Sequence, residues 1–224
     1  MSHLEEVLAL RKVCFPGIRE ILSPADLRAR HLIVRNEKQE VVGTYRVTLS
    51  TDVMSFEAEE DFVIGKLLQQ EGIKAELSWA CVDPCYRDGR VIHLLWKTLT
   101  EFFNEHRVRY VFGLASVPFE GAQKINEIVS YLQNHSYMIS KDLIQARRNT
   151  LSSQAVVMEM SDLRGPSKTA KRRVLPSLLR AYLMAGALVC VQPVFDPDLD
   201  CYDFMTVLDT ETASNPLISH FKFK

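Results

Sequence analysis

The sequence has no apolar run approaching the roughly 18 residues that a bilayer-spanning helix needs, and its first twenty residues lack the basic-then-apolar order of an export signal. Both absences point to a soluble chain that works in the cytoplasm or at the periphery of the inner membrane. The five cysteines, at positions 14, 81, 85, 190 and 201, are an odd number without an export signal, so they read as reduced thiols rather than a disulfide framework. Cys81 and Cys85 form a C-x3-C with no second ligand pair, which argues against zinc, and no metal site is expected. A surplus of one charge is missing too. Against 27 Lys and Arg stand 28 Asp and Glu, a formal net charge of -1, so no global field draws the chain to nucleic acid or a membrane. An electrostatic partner has to be met by a local patch. Internal repeats and low-complexity tracts are absent as well.

What is present is a chain of 224 residues, 47% of them hydrophobic, enough to bury a core as one domain over residues 1–224. Helical spacing runs from Leu4 to Phe15 and ends at Pro16-Gly17. The β-branched stretches 31–34 and 41–49, separated by polar Asn36 to Gln39, predict an antiparallel hairpin. Phe62 to Gln70 has the look of a short helix. Ala75 to Val82 is a strand stopped by Asp83-Pro84, Val91 to Phe103 a long helix, and Tyr110 to Ala115 a second buried strand. That order is the crossover unit of a parallel strand pair, and it organises the fold. A helix over 123–134, a strand over 155–160, a helix over 175–185 and strands over 188–191 and 204–208 complete a mixed α/β (α+β) sheet. Residues 161–173 contain Gly165-Pro166-Ser167, Lys168, Lys171, Arg172 and Arg173, and read as a basic loop.

The segment Glu76 to Trp96, ELSWACVDPCYRDGRVIHLLW, resembles the core motif of the ornithine and amino-acid N-acyltransferases that use acyl carrier protein, and more distantly that of the acyl-homoserine lactone (autoinducer) synthases. The glutamate, the VDP turn, the YR-x-G loop and the following helix occur together in order. The likeness extends to VVGTYRV at 41–47, FGLAS at 112–116 and LPSLLRAYLMAGALV at 175–189. It implies a GNAT (GCN5-related N-acetyltransferase) fold, with a mixed central sheet whose parallel central strands splay apart between flanking helices. Arg11, Phe15, Asp26 and Arg46 match positions of the family's acceptor or carrier-arm region, and Glu76 matches the glutamate opening the central strand. Two residues depart from the pattern: Trp79 stands where an arginine is usual, and Arg30 stands before His31 where an acidic residue is common. Exchanging a planar cation for an indole and a carboxylate for a guanidinium implies altered charge preferences at the acceptor.

Aminolysis of a thioester has a good leaving group; the harder requirement is a neutral amine, which calls for a positioned base. Glu76, at the start of an apolar strand where desolvation raises its proton affinity, is the candidate, acting directly or through a water. The competing reading makes it a structural partner of Arg11 or Arg46. The resemblance implies a bulge near Ser78 to Ala80 that aims a backbone N-H at the thioester carbonyl, and this places Ser78 beside Glu76 in the catalytic set. Under strict alternation Glu76 and Trp79 face opposite sides of the sheet, so they share a pocket only across such a bulge. The loop Arg87, Asp88, Gly89, Arg90 and Val91, between strand and helix, is the expected cradle for the phosphate of phosphopantetheine. No cofactor is expected to be tightly bound; acyl-phosphopantetheine, on acyl carrier protein or CoA, is the co-substrate. Lys168, Lys171, Arg172, Arg173 and Arg180 have the sign to dock an acidic carrier protein. Together these readings predict transfer of a long acyl chain from a carrier thioester to the amine of an amino acid or similar small amine. The alternatives are an acyl-CoA-dependent transferase of a small acyl group and a catalytically silent acyl-binding protein.

Overall fold

The computed structural model describes residues 2–18, 21–147, 174–190 and 192–212. The expected strand at 155–160 and the basic loop at 161–173 lie outside the described residues. Helix α1 (His3–Cys14) opens on a capping box in which Ser2 and Glu5 satisfy each other's backbone N-H groups. Strands β1 (Arg30–Arg35) and β2 (Val41–Leu49) form the expected antiparallel hairpin. The expected helix at 62–70 is instead a two-residue strand β3 (Phe62–Val63) and one helical turn, α2 (Gly65–Leu68). Phe62, Ile64 and Leu67 are all buried, so the segment follows its packing rather than a long helical period. Strand β4 (Ile73–Val82), helix α3 (Arg90–Glu105) and strand β5 (Val108–Pro118) make the crossover, both strands being longer than their apolar runs suggest. Helix α4 (Ala122–Asn134) and strand β6 (Gln145–Ala146) follow. Helix α5 (Ser177–Met184) starts after Pro176, two residues later than expected. The late strands are β7 (Leu188–Val189), β8 (Val194–Asp196), which the sequence reading lacked, and β9 (Cys201–Asp209).

The main sheet runs β1-β2-β4-β5-β9-β7, with β8 also on β9, and β3 pairs β6 separately. Among these pairings only β4 with β5 is parallel. One face carries α3, α4 and α5, packed through Val91, Leu95, Leu99, Ile125, Ile128, Leu132 and Leu179 onto Val47, Leu77, Val111 and Phe204. The other face is covered by the segment 56–67, whose Phe56, Ala58, Phe62 and Leu67 pack with Phe112, Met205 and Val207. Alternation explains the division: Val111 and Leu208 face the helices while Phe112 and Val207 face away. Helix α5 ends in a Schellman arrangement. Gly186, at φ 90°, donates to Leu183 O and Ala187 donates to Tyr182 O.

The parallel pairing is short. It runs from Ile73 opposite Val108 to Leu77 opposite Gly113 and stops there. Beyond that point β4 stays with β2 as far as Val82 opposite Gly43, and β5 stays with β9 as far as Pro118 opposite Cys201. The sheet therefore opens into a fork between Ser78–Val82 and Leu114–Pro118. Gly113 sits at the crotch, where a Cβ would lie 2.3 Å from the Leu77 carbonyl oxygen. A Gly113→Ala variant must push these backbones apart; we expect a loss of about 1–3 kcal/mol of stability, read as a lowered midpoint in chemical denaturation.

Candidate active site

The first wall of the fork is made by β4 and what α1 lays over it. Between Thr44 opposite Cys81 and Arg46 opposite Ser78, β4 carries one residue more than β2. This is the expected bulge, and in it Trp79 takes φ 54°, a left-handed conformation uncommon for a bulky side chain. The extra residue brings Trp79 to the same face as Glu76 and Ser78, where it meets α1. Its ring stands edge-on to Phe15 with centroids 5.4 Å apart, and the Arg11 guanidinium carbon lies 4.6 Å from the indole centroid.

Beneath the indole is a buried ion network. Arg11 and Arg46 have no exposed side-chain surface, and neither has Asp26, which lies 2.8 Å from Arg11 Nη2 and 3.4 Å from Arg46 Nη1. Arg11 also donates to Ile21 O at 2.9 Å. Arg46 donates to Ser78 Oγ at 2.8 Å and Ser23 Oγ at 2.9 Å, and is ion-paired with Glu57. Burial pushes the Asp26 carboxyl up, but Arg11 and the Ser23 amide outweigh it and hold it below the ordinary range. Burial pushes the neighbouring His31 imidazole down, towards its neutral form. The structure thus brings Arg11, Phe15, Asp26, Arg46 and Trp79, expected on the acceptor or carrier-arm side, together with Ser78. The sequence reading missed Ser23 and Glu57, polar loop residues whose spacing carries no motif.

Arg30 is a correction. It pairs with Asp52 and lies 5.9 Å from the Phe102 ring, on the α3 side, because residue alternation turns it away from its neighbour His31. It is no part of this wall.

Glu76 is buried at 4% exposure, one residue before the crotch. Neither Arg11 nor Arg46 is its hydrogen-bond partner: its two oxygens accept from the Ala58 amide at 2.7 Å and the Glu57 amide at 3.2 Å. The start of the 3-10 turn Glu57–Glu60 is thereby seated over the strand. Burial, only partly countered by the Ala58 N-H, pushes the carboxyl up to about 7. Across the fork, on β9, Asp203 accepts from Ser116 Oγ at 2.6 Å, and burial pushes its carboxyl up to about 6. Nothing in the sequence singled out Asp203, since only strand pairing brings it beside Ser116.

The loop after β4 is built by Asp83, whose side chain accepts from the Cys85 amide, and by Gly89, at φ 97° immediately before α3. Asp88 accepts from the Arg90 amide at 3.0 Å and pairs with the Arg90 guanidinium, so one amide of the expected cradle is already occupied. Arg87 donates to Val82 O. Val91 is buried, in the place where a Cβ on Gly43 would come within 2.4 Å of its Cγ1, so only its backbone faces the loop. Cys14 Sγ contacts the same Val82 carbonyl, and a hydrogen bond from Cys81 lowers the Cys14 thiol.

A cavity of about 790 Å3 lies between α3 and α5, lined by Gly89, His93, Trp96, Phe103, Ala181 and Leu208 among others. It is on the helical face, opposite Glu76, so Trp96 and Phe103 line a cavity while Leu95 belongs to the core. Chemistry that needs both the bulge and an acid belongs to the fork instead.

Comparisons with known proteins agree with this geometry. The acetyltransferase (GNAT) domain family matches residues 16–97. L-ornithine N(alpha)-acyltransferases are related in sequence: that of Rhodobacter capsulatus is 25% identical over 78% of this chain and 66% of its own, and that of Rhizobium meliloti is 26% identical over 82% and 62%. The chain thus spans 62 to 66% of the length of these two relatives. Among solved structures, the loading GNATL domain of CurA from Lyngbya majuscula superposes with a TM-score of 0.53 at 14% identity, over 97% of this chain and 94% of that one. The GphF GNAT-like decarboxylase in complex with isobutyryl-CoA gives 0.52 at 16% identity, over 92% and 94%.

The raised Glu76 carboxyl has a consequence for stability. A carboxyl whose folded value lies above its unfolded one stabilises fully below about pH 4.5, and that contribution is lost as pH rises through about 7. Relative to Glu76→Gln, the wild type should lose roughly 3 kcal/mol between acid and mildly alkaline pH, measured by urea unfolding across that window. With its short parallel pair, its fork and its bulge, set beside these solved structures, the chain has a GNAT fold, and its residues 16–97 are similar to the acetyltransferase (GNAT) domain family.

Proposed function

We propose that this protein is an amide-forming N-acyltransferase that moves a long-chain acyl group from a phosphopantetheine thioester, on acyl carrier protein or CoA, to the amine of an amino acid or similar small amine. The observation that carries the reading is the fork itself: a parallel pair that ends at Leu77 and Gly113, a bulge at Trp79 immediately beyond, and a buried acid with a carboxyl near 7 immediately before. The names of the sequence relatives support amide formation on an amino acid. The pantetheine arm enters the fork from the loop Arg87 to Val91, whose remaining amides and helix start attract its phosphate. Lys168, Lys171, Arg172 and Arg173, outside the described residues, and Arg180 on α5 supply charge of the sign a carrier protein needs.

In the reaction the amine nitrogen attacks the thioester carbonyl, and its proton passes to Glu76, by way of water given the burial of that carboxylate. Negative charge developing on the carbonyl oxygen is met by a backbone N-H of the bulge. Ser78 is held by Arg46 and keeps the bulge in place. When the C-S bond breaks, the thiolate takes that proton back from Glu76 through the water and leaves as the free pantetheine thiol, which returns Glu76 to its carboxylate.

Release of free thiol from long-chain acyl carrier and acyl-CoA donors, measured over a panel of amines, tests the proposal; amine-dependent release is expected. In Glu76→Gln, kcat should fall by about two orders of magnitude or more, and the wild-type rise in rate with an apparent pKa near 7 should vanish. Transfer at the wild-type rate in that variant would reduce Glu76 to an anchor for the turn at 57–60.

A further inference from the structure

Given the transfer reading above, the surroundings of Trp79 bear on the class of amine that the fork would take. An acceptor that carries a carboxylate beside its amine needs a cation in the pocket, because a desolvated carboxylate without a partner costs several kcal/mol. The two guanidinium groups that the described residues bring to this wall are already committed. Arg11 is wholly buried, paired with Asp26 and the Ile21 carbonyl, and roofed by the Trp79 indole. Arg46 is wholly buried and divided among Ser78, Ser23, Asp26 and Glu57. Arg87, at the far end of the wall, is turned to the Val82 carbonyl.

The other groups that the described residues bring beside the fork are acids, neutral polar groups and aromatic rings. Glu76 lies at the crotch, the Glu57 side chain is 36% exposed above it, and Asp203 with Ser116 stands on the opposite side. Phe15 and Trp79 form an edge-to-face aromatic shelf between them. A carboxylate placed here would meet acids and ring faces, whereas an ammonium or an aromatic ring would be at home. The indole's place in the strand is also what removes the cation: at φ 54° the bulge holds the side chain across Arg11 rather than out in solvent.

We propose that the fork accepts amines lacking a carboxylate, such as diamines and arylalkylamines, and that Trp79 is the residue that excludes their amino-acid counterparts. The test compares two matched pairs, putrescine with ornithine and tryptamine with tryptophan, using palmitoyl-CoA and a palmitoyl carrier protein as donors. Thiol release is expressed per neutral amine, so that differences in amine basicity cancel. The carboxylate-free member of each pair should show a kcat/KM at least about tenfold higher. Trp79→Phe, which keeps an aromatic roof, should retain the preference. Trp79→Arg, which supplies a free cation, should shrink it about tenfold by raising the rate with ornithine. Ornithine and tryptophan used as well as their partners, or a ratio unmoved in a folded Trp79→Arg protein, would overturn the proposal. Should no amine be turned over with either donor, the transfer reading falls, and calorimetric binding of the same four amines decides the specificity alone. Tighter binding of putrescine and tryptamine upholds it; equal, reversed or absent binding sinks it.

Discussion

Two arginines without exposed surface must be neutralised before α1 can lie on the sheet, and Asp26, standing between them, does this together with Glu57, which pairs with Arg46. Each ion would be costly to desolvate alone, and the network is tolerable because its charges are paired, Asp26 with both arginines and Arg46 with Glu57 as well. It gathers five separate pieces of chain: α1, the turn at 23–27, β2, the turn at 57–60 and β4. The position of Trp79 follows from this gathering, since the indole packs on the hidden side of Arg11. So does the position of Glu76, because the turn whose amides it accepts is tied to Arg46 through Glu57.

Much of this was legible in the sequence, and for identifiable reasons. The strand-helix-strand order around Glu76 to Ala115 requires a parallel pair, and the resemblance carried by the motif added the splay and the bulge. Glu76 could be nominated from its place at the head of an apolar strand. What it binds could not, because amides at 57 and 58 are contributed by a turn with no pattern of its own. Asp203 and Ser116 are separated by 87 positions and meet only through antiparallel register. Arg30 lies apart from the wall for the opposite reason: it is adjacent to His31 in sequence, but alternate residues of a strand face opposite sides. The segment 62–70 was misread because its apolar residues are buried by the sheet behind them, a tertiary effect that periodicity does not contain.

The fork and the cavity between α3 and α5 have different characters. The fork is polar at its crotch and built from strands, which hold side chains in place better than loops do. The cavity between α3 and α5 is lined by helical residues and by the ends of β5 and β9, with small Ala181 and Ala185 forming one side. The coincidence of an irregular backbone and a perturbed acid is found at the fork instead.

On the helical face, the hydroxyls of Tyr45 and Tyr182 lie 2.5 Å apart, both fully out of water, with Trp96 edge-on to each ring. Tyr45 sits opposite the extra residue of β4, and Tyr182 anchors the Schellman turn that ends α5. Neither hydroxyl has water to fall back on, so sliding α5 along the sheet would strand both at once. The helix acts as a splint, bracing from behind the stretch of β4 backbone that runs out of register with β2.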